Sequence, residues 1–585
     1  MAEYHNPQNE PGGDRRLLLI FVICFVFMLL AQPLLKKYFP TPPSPQKIAQ
    51  TEQAKPAPPA PKSTTTAPAT SAVPAVTKQA SNESETVIES DLYRVTFTNR
   101  GAQVKSWILK KFDNDAENGP LDLVNATAAA QYGYPLSLWA YDEELRGRLN
   151  SALYVPTRDG NQVSFDYADQ DLSVHKTIKF DGTYVVKIEA NVTYKGTPKE
   201  TLPAWPSGFG DQATPAFYAT SLVAYQFNKN IERVPPRCGF SLFSKCTQVV
   251  GGGTIPGPFH WAGPTDQYFA AVFIPDDPTT ASMVTMNHSM PVPKDASKPQ
   301  ETVNVDVIGA AVGNLHGPVS ERLYAGPKEL ELLQKVPVPG VSGADNDLNG
   351  LVDFGWWGII AKPLFVWLRW TYHHMVGNWG WAIVIQTLII TVALLPLRIS
   401  QMKSMLKMQR VAPQIKSIQE KYKKYGLRDP RKAAMNEEIA ALYKKEGVNP
   451  AGGCLPLLIQ MPILFAYYRM LSTALDLRHA HWLWIRDLSA AEPLPYILPI
   501  LMVVSSLITQ RMTPQAGMDP AQQRMMNVMM PLMMGFIFFR LQAGLNLYYS
   551  VSNLISIGLQ AGMNRTHLGR EMREIMAKRA RKKDK

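Results

Sequence analysis

"VIQTLIITVALLPLR" (residues 384–398) is almost wholly apolar, yet it carries Gln386, Thr387 and Thr391 in its middle. The run around it, 379–397, is long enough to cross a bilayer. A polar side chain inside hydrocarbon costs free energy unless it meets a partner, a cavity or water. The stretch therefore predicts a membrane-spanning helix with one face turned to something other than lipid. Thr387 and Thr391 lie one turn apart, and Arg398 continues that face about 10 Å further along the helix axis.

Five more apolar runs, at 17–35, 455–472, 495–509, 525–539 and 541–563, bring the expected spans to six. A mean hydropathy of −0.13 hides them because the apolar residues are bunched. The first run reads as an uncleaved signal anchor, with a removed signal peptide as the alternative. Basic residues set the orientation. Residues 398–446 hold 13 Lys/Arg against 5 Asp/Glu, and residues 564–585 hold 9 against 3. These surpluses of +8 and +6 together exceed the +12 of the whole chain, whereas 473–494 has only Arg478 and Arg486. Both basic segments are therefore expected in the cytoplasm. Six crossings put the N-terminus there too, and the long segment after the anchor outside.

That division gives the expected order of domains. A cytoplasmic N-terminus (1–16) and the anchor (17–35) precede a Pro/Ala/Thr-rich, disordered tether (38–86). Alternating stretches such as "HKTIKF" and "TYVVKIEANVTY", cut by Gly, Asp and Asn turns, then predict an exported antiparallel β-sandwich over 87–340. A tryptophan-rich amphipathic helix (358–377) is expected to lie in the outer interface before the second span. Two amphipathic helices in 398–449 form a cytoplasmic hairpin, and a basic tail (564–585) ends the chain. Cys238 and Cys246 fall in the exported segment, where a disulfide is permitted and a pair of free thiols is the alternative.

Patterns for phosphate-binding loops, zinc proteases or serine hydrolases are absent, and the histidines are scattered, so neither an enzyme nor a cofactor is expected. The polar residues in the spans are instead ordered. Asn546, Tyr549, Ser550, Asn553, Ser556 and Gln560 form a stripe along the sixth span; Gln460, Tyr467, Tyr468 and Arg469 lie in the third, and Ser505, Ser506 and Thr509 in the fourth. Interhelical hydrogen bonding is the plain reading of any one of them; for the full stripe a hydrated surface is the better reading. The fifth span is rich in methionine, a side chain suited to surfaces that accept varied partners or to filling lipid-facing space.

"VGNWGWAI" (376–383), "GVNPAGGCLPLLIQMPILFAYYRML" (447–471), "DLSAAEPLPYILPILM" (487–502), "QRMTP" (510–514) and "GLNLYYSVSNLISIGLQ" (544–560) resemble the YidC membrane protein insertases in order and spacing. The resemblance implies a multi-span α-helical membrane protein of the bacterial inner membrane, with a five-helix core and a periplasmic β-sandwich. It implies a hydrophilic groove open to the cytoplasm and to lipid, working alone or with the Sec translocon and without nucleotide hydrolysis. Gln386, Thr387, Thr391, Arg398, Gln460, Asn546, Tyr548, Tyr549 and Asn553 are the expected lining, with Leu464 and Phe465 meeting the apolar part of a client. Thr391 stands where family members usually carry a groove arginine. The expected partners are nascent membrane proteins, the Sec translocon, anionic lipids, and the ribosome and signal-recognition machinery through the hairpin and tail; DNA is not among them. A small-solute transporter would need inverted repeats of the spans, which the sequence lacks; a purely structural Sec accessory is a further alternative.

Overall fold

The computed structural model describes residues 77–566, with Arg570 and Glu574 beyond them. Within that range 116, 213–214, 228–229, 239–246, 295–299, 316, 341–346, 423–424, 426–429, 449–454, 494, 513–527, 529 and parts of the tail are excepted. The expected anchor at 17–35 and most of the tether lie outside the described residues.

Alternation builds the β domain. Along Leu172–Phe180 the burial runs inward and outward by turns, so Leu172, Val174, Ile178 and Phe180 enter the core. Lys176 shares that inward face and is fully buried. Its ammonium donates to the carbonyls of Ala102 and Leu136, and burial pulls it down to about 7. The strand pairs antiparallel with Gln162–Ala168 and Val185–Tyr194 inside a ten-stranded sheet. A five-stranded sheet is built around the long hairpin Ala281–Pro293 and Thr302–Asn314. Met283, Ile308, Ala310 and Val312 of that hairpin share one apolar core with Val223, Trp261, Phe273 and Leu323 of the larger sheet. A four-stranded sheet, Glu85 to Asp122, completes the sandwich. Cys238 is disulfide-bonded.

The tether is shorter than its composition predicts. Lys78 bridges Ala168, Ala80 N–H donates to the Leu153 carbonyl, and the first strand starts at Glu85. Backbone pairing at a sheet edge orders these last residues, and it needs no apolar side chain.

Eight helices of the C-terminal half matter here: α1 (Gly358–Thr371), α2 (Trp379–Ala393), α3 (Leu395–Lys421), α4 (Arg431–Lys445), α5 (Leu455–Thr473), α6 (Ile497–Met512), α7 (Met530–Phe538) and α8 (Ala543–Asn564). "VGNWGW" makes the corner between α1 and α2. Gly377 adopts φ 58°, a left-handed turn that ends the first helical segment, and Asn378 caps α2 by accepting from Trp381 N–H. The two segments meet at 113°. Among the described residues no single helix is long and apolar enough to cross a membrane, although this bent pair passes that test together. α2 stops at Ala393, four residues short of the expected Leu397. Pro396 sits in the first turn of the next helix, where its missing N–H is harmless, so the chain restarts there as α3. α3 and α4 pack against one another through Val411, Ile415, Ile439 and Leu442.

The β domain and the helices meet through buried charge. Arg478, in the loop between α5 and α6, bonds Asp115 at 2.8 Å and the Asp113 carbonyl at 2.9 Å, with its side chain only 4% exposed. Arg369 of α1 is shared among Glu329, Glu331 and Asp476. Close to Arg478 lie the carboxyls of Asp211 and Asp266, both fully enclosed and in contact with one another. Burial pushes both up from their ordinary value, and for Asp211 the neighbouring Asp266 adds to the rise. A carboxyl raised in the folded state contributes stability that is complete below its unfolded pKa, near 4, and is lost as pH climbs through the folded value. Wild-type melting temperature is therefore expected to fall between pH 4 and pH 7, and Asp211→Asn, which keeps a polar partner for Asp266, to flatten that slope. An unchanged slope in a pH series of thermal melts would disprove the assignment.

Candidate polar groove between the helices

The polar residues of α8 differ in accessibility along its length. At the end nearest the β domain Asn546 is fully enclosed, and its amide donates to the carbonyl of Phe538, the last residue of α7, and to that of Leu541 in the turn after it. Ser550, also buried, donates to the Leu498 carbonyl of α6. Further along, Asn553, Ser556 and Gln560 are only partly covered. Asn553 donates to Ser505 and Ser506 on α6 at 3.2 and 2.9 Å. Arg398, just past the break after α2, reaches across to the Ser556 hydroxyl. One helix thus carries a sealed polar end and an open polar end.

The sealed end is held by a second set of contacts. Tyr467 of α5 stacks on Tyr548 of α8 with ring centres 4.1 Å apart. Its hydroxyl donates to Gln386 of α2 at 2.5 Å, and the Gln386 amide donates to the Leu364 carbonyl of α1 at 2.9 Å. Gln460 of α5 donates to the Tyr548 hydroxyl at 3.0 Å. Four helices are tied by side chains that would each be costly to bury alone. Thr387 returns its hydroxyl to the Ile383 carbonyl one turn back, and Thr391 is buried beside it.

The expected site residues therefore separate. Gln386, Asn546 and Tyr548 are interhelical ties with no open face, and Thr387 and Thr391 are enclosed with them. Arg398, Gln460, Tyr549 and Asn553 keep partial access. Tyr549 packs at 5.1 Å on Phe538, the last residue of α7. Leu464 and Phe465 are half-buried, and Phe465 stacks on Trp357 at the start of α1, with centres 5.7 Å apart. Phe465 thus spends one face on the neighbouring helix.

Sequence reasoning missed Glu492. Its buried carboxylate accepts from Trp484 Nε1, Ile497 N–H and Leu498 N–H, closing the first turn of α6. An acidic residue five positions before an apolar helix was the available signal. Arg478 and its distant carboxylates carried no such signal.

Two family models match the chain. The YidC periplasmic domain covers residues 85–367 and the 60Kd inner membrane protein covers 370–570. The membrane protein insertase YidC of Geobacter sulfurreducens is 32% identical over 502 residues, which is 82% of this chain and 86% of that protein. The same-named protein of Dechloromonas aromatica is 31% identical over 558 residues, 93% of this chain and 96% of the relative. Among solved structures, an active YidC insertase with its first transmembrane domain resolved is 20% identical, with a TM-score of 0.34 over 84% of this chain and 95% of that one.

Proposed function

The chain belongs to the YidC family of membrane protein insertases, and from that premise we propose that it moves client segments from the cytoplasm into the inner membrane through a polar groove bounded by α2, α5, α6 and α8. The observation that carries this reading is the graded cover along α8, sealed at Asn546 and Ser550 and accessible from Asn553 to Gln560. A groove of that shape accepts the polar flank of a client from the cytoplasm while the outer end stays shut. α2, α5, α6, α7 and α8 with the anchor at 17–35 make six spans, both termini lie in the cytoplasm, and α1 lies flat in the outer interface.

The client's apolar segment then leaves toward lipid past α5 and α7. Burying about 20 apolar residues supplies the driving force, so nucleotide hydrolysis is not needed. α6 has 16 residues, or about 24 Å of helix against a hydrocarbon core of about 30 Å. Short helices draw the bilayer thinner around the groove, which shortens the path of a polar flank. Arg398 supplies the positive charge at the mouth, where Thr391 offers none deeper in. The basic hairpin and tail receive clients from the ribosome, the signal-recognition machinery or the Sec translocon, and meet anionic lipid on the cytoplasmic side.

Single cysteines distinguish this from an accessory role. Cysteine at 553 or 556 is expected to crosslink to a stalled nascent membrane protein, while cysteine at 388, on the exposed outer side of α2, reacts far less. Equal reaction at 388 and 553 would remove the groove from the mechanism. Thr391→Ala should insert normally in the same assay, because its hydroxyl is enclosed rather than presented.

A further inference from the structure

Between α5 and α6 the chain makes a tight turn with an apolar tip. Trp482 and Ile485 exchange backbone hydrogen bonds of 2.9 and 2.8 Å, which leaves Leu483 and Trp484 as the two residues of the turn. Leu483 takes φ 51°, in the left-handed region that glycine or asparagine fills at little cost in such turns. It is also 66% exposed, and Trp484 beside it is 45% exposed. A strained leucine displayed to water is unfavourable twice over, and a small polar residue there would remove both costs.

The turn is held firmly. Trp482 lies edge-on to Trp381 of α2 with ring centres 5.6 Å apart, and it fills the space over Gly380, where a Cβ would come within 2.1 Å of its ring. Asn378, the cap of α2, donates to the His481 carbonyl at 3.0 Å. Trp484 gives its Nε1–H to Glu492, the carboxylate that closes the first turn of α6. Its ring therefore makes no polar demand outward. One turn thus grips the starts of two helices that bound the proposed groove.

Its position on α2 says what covers the tip. Trp381, Leu388 and Val392 recur at i, i+7 and i+11 along α2, and all three are exposed. Trp482 stands on the first of them, so the tip lies at the head of the apolar face that α2 turns outward. Two side chains are too few for a stable protein interface, which buries on the order of 1,200 Å² or more. They suffice to enter a bilayer, where leucine and tryptophan settle at the boundary of head groups and acyl chains. We propose that the turn is a wedge in the outer leaflet, with Leu483 and Trp484 seated at that boundary, and that it fixes the depth of α2 and α6. This rests on the reading that α2 spans the bilayer with its start on the outer side.

The test places the photoreactive residue p-benzoylphenylalanine at 483, at 388 or at 303 of the full-length protein in its native membrane, with adducts read by mass spectrometry. Lipid adducts at 483 and 388 should exceed those at 303, an exposed valine of the β domain, by at least about tenfold. Adducts at 388 without adducts at 483 overturn the wedge alone; absence at both overturns the span of α2 with it. Adducts of 483 to a protein chain assign the tip to a partner and overturn its assignment to lipid. A second measurement avoids the bulky probe. In a Cys24→Ser, Cys454→Ser background, a nitroxide on Leu483→Cys in liposomes should be relaxed more by oxygen, which concentrates in the bilayer, than by a water-soluble nickel chelate. The reverse order overturns the proposal.

Discussion

Arg478→Ala should lower the stability of the contact between the β domain and the helical core by about 3–5 kcal/mol, the usual cost of removing one member of a buried ion pair. The guanidinium is almost wholly covered. It bonds Asp115 and the Asp113 carbonyl, and it lies over the rings of Tyr268 and Phe269 at 5.9 and 5.6 Å. Alanine would leave Asp115, Asp211 and Asp266 near one another without that cation. Protons must then be taken up or the interface must open to water. Thermal unfolding should show the β domain melting apart from the helices. Arg478→Lys should lose less, because an ammonium keeps the charge but not the planar fork. A melting profile for Arg478→Ala that matches wild type would mean the domains are joined by other contacts, Arg369 with its three carboxylates being the first to examine.

For insertion the largest loss should come from Arg398→Ala. In the proposed groove this is the one cation that bonds a member of the α8 stripe among the described residues. A client whose translocated flank carries acidic residues should insert about tenfold more slowly, and a client with a neutral flank should be little affected. Arg398→Lys should recover much of the rate. Reconstituted liposomes without nucleotide provide the measurement. Equal slowing of acidic and neutral clients would show that Arg398 holds α3 and α8 together and does not attract cargo.

Much of this fold was legible because two periodicities carry it. The period of two in Leu172–Phe180 and Val185–Tyr194 matched inward and outward faces except at Val185, which is buried out of phase, and Lys176 is a charged residue on the inward face. The stripe on α8 was equally plain at helical spacing. Which of its members face open space was not legible, because cover comes from α2, α6 and α7. Asn546 and Asn553 look alike in sequence, yet one caps the end of α7 and the other meets two serines. The joint between the two halves was hidden for a similar reason: Arg478 and Asp115 lie 363 residues apart. The ordered start of the β domain at Lys78 was hidden too, since backbone pairing leaves no mark on composition.

The change of cover along α8 has a consequence for cargo. From Asn553 to Gln560 the accessible part of the stripe extends about 10 Å along the helix, well short of a bilayer. In the proposed mechanism such a recess would work as a ruler. A hydrophilic tail short enough to fold into it would cross with one remaining step, while a longer or more highly charged tail would overfill it and need a conduit that opens on both sides. On that proposal cargo selection follows from the depth of the recess and needs no recognition sequence.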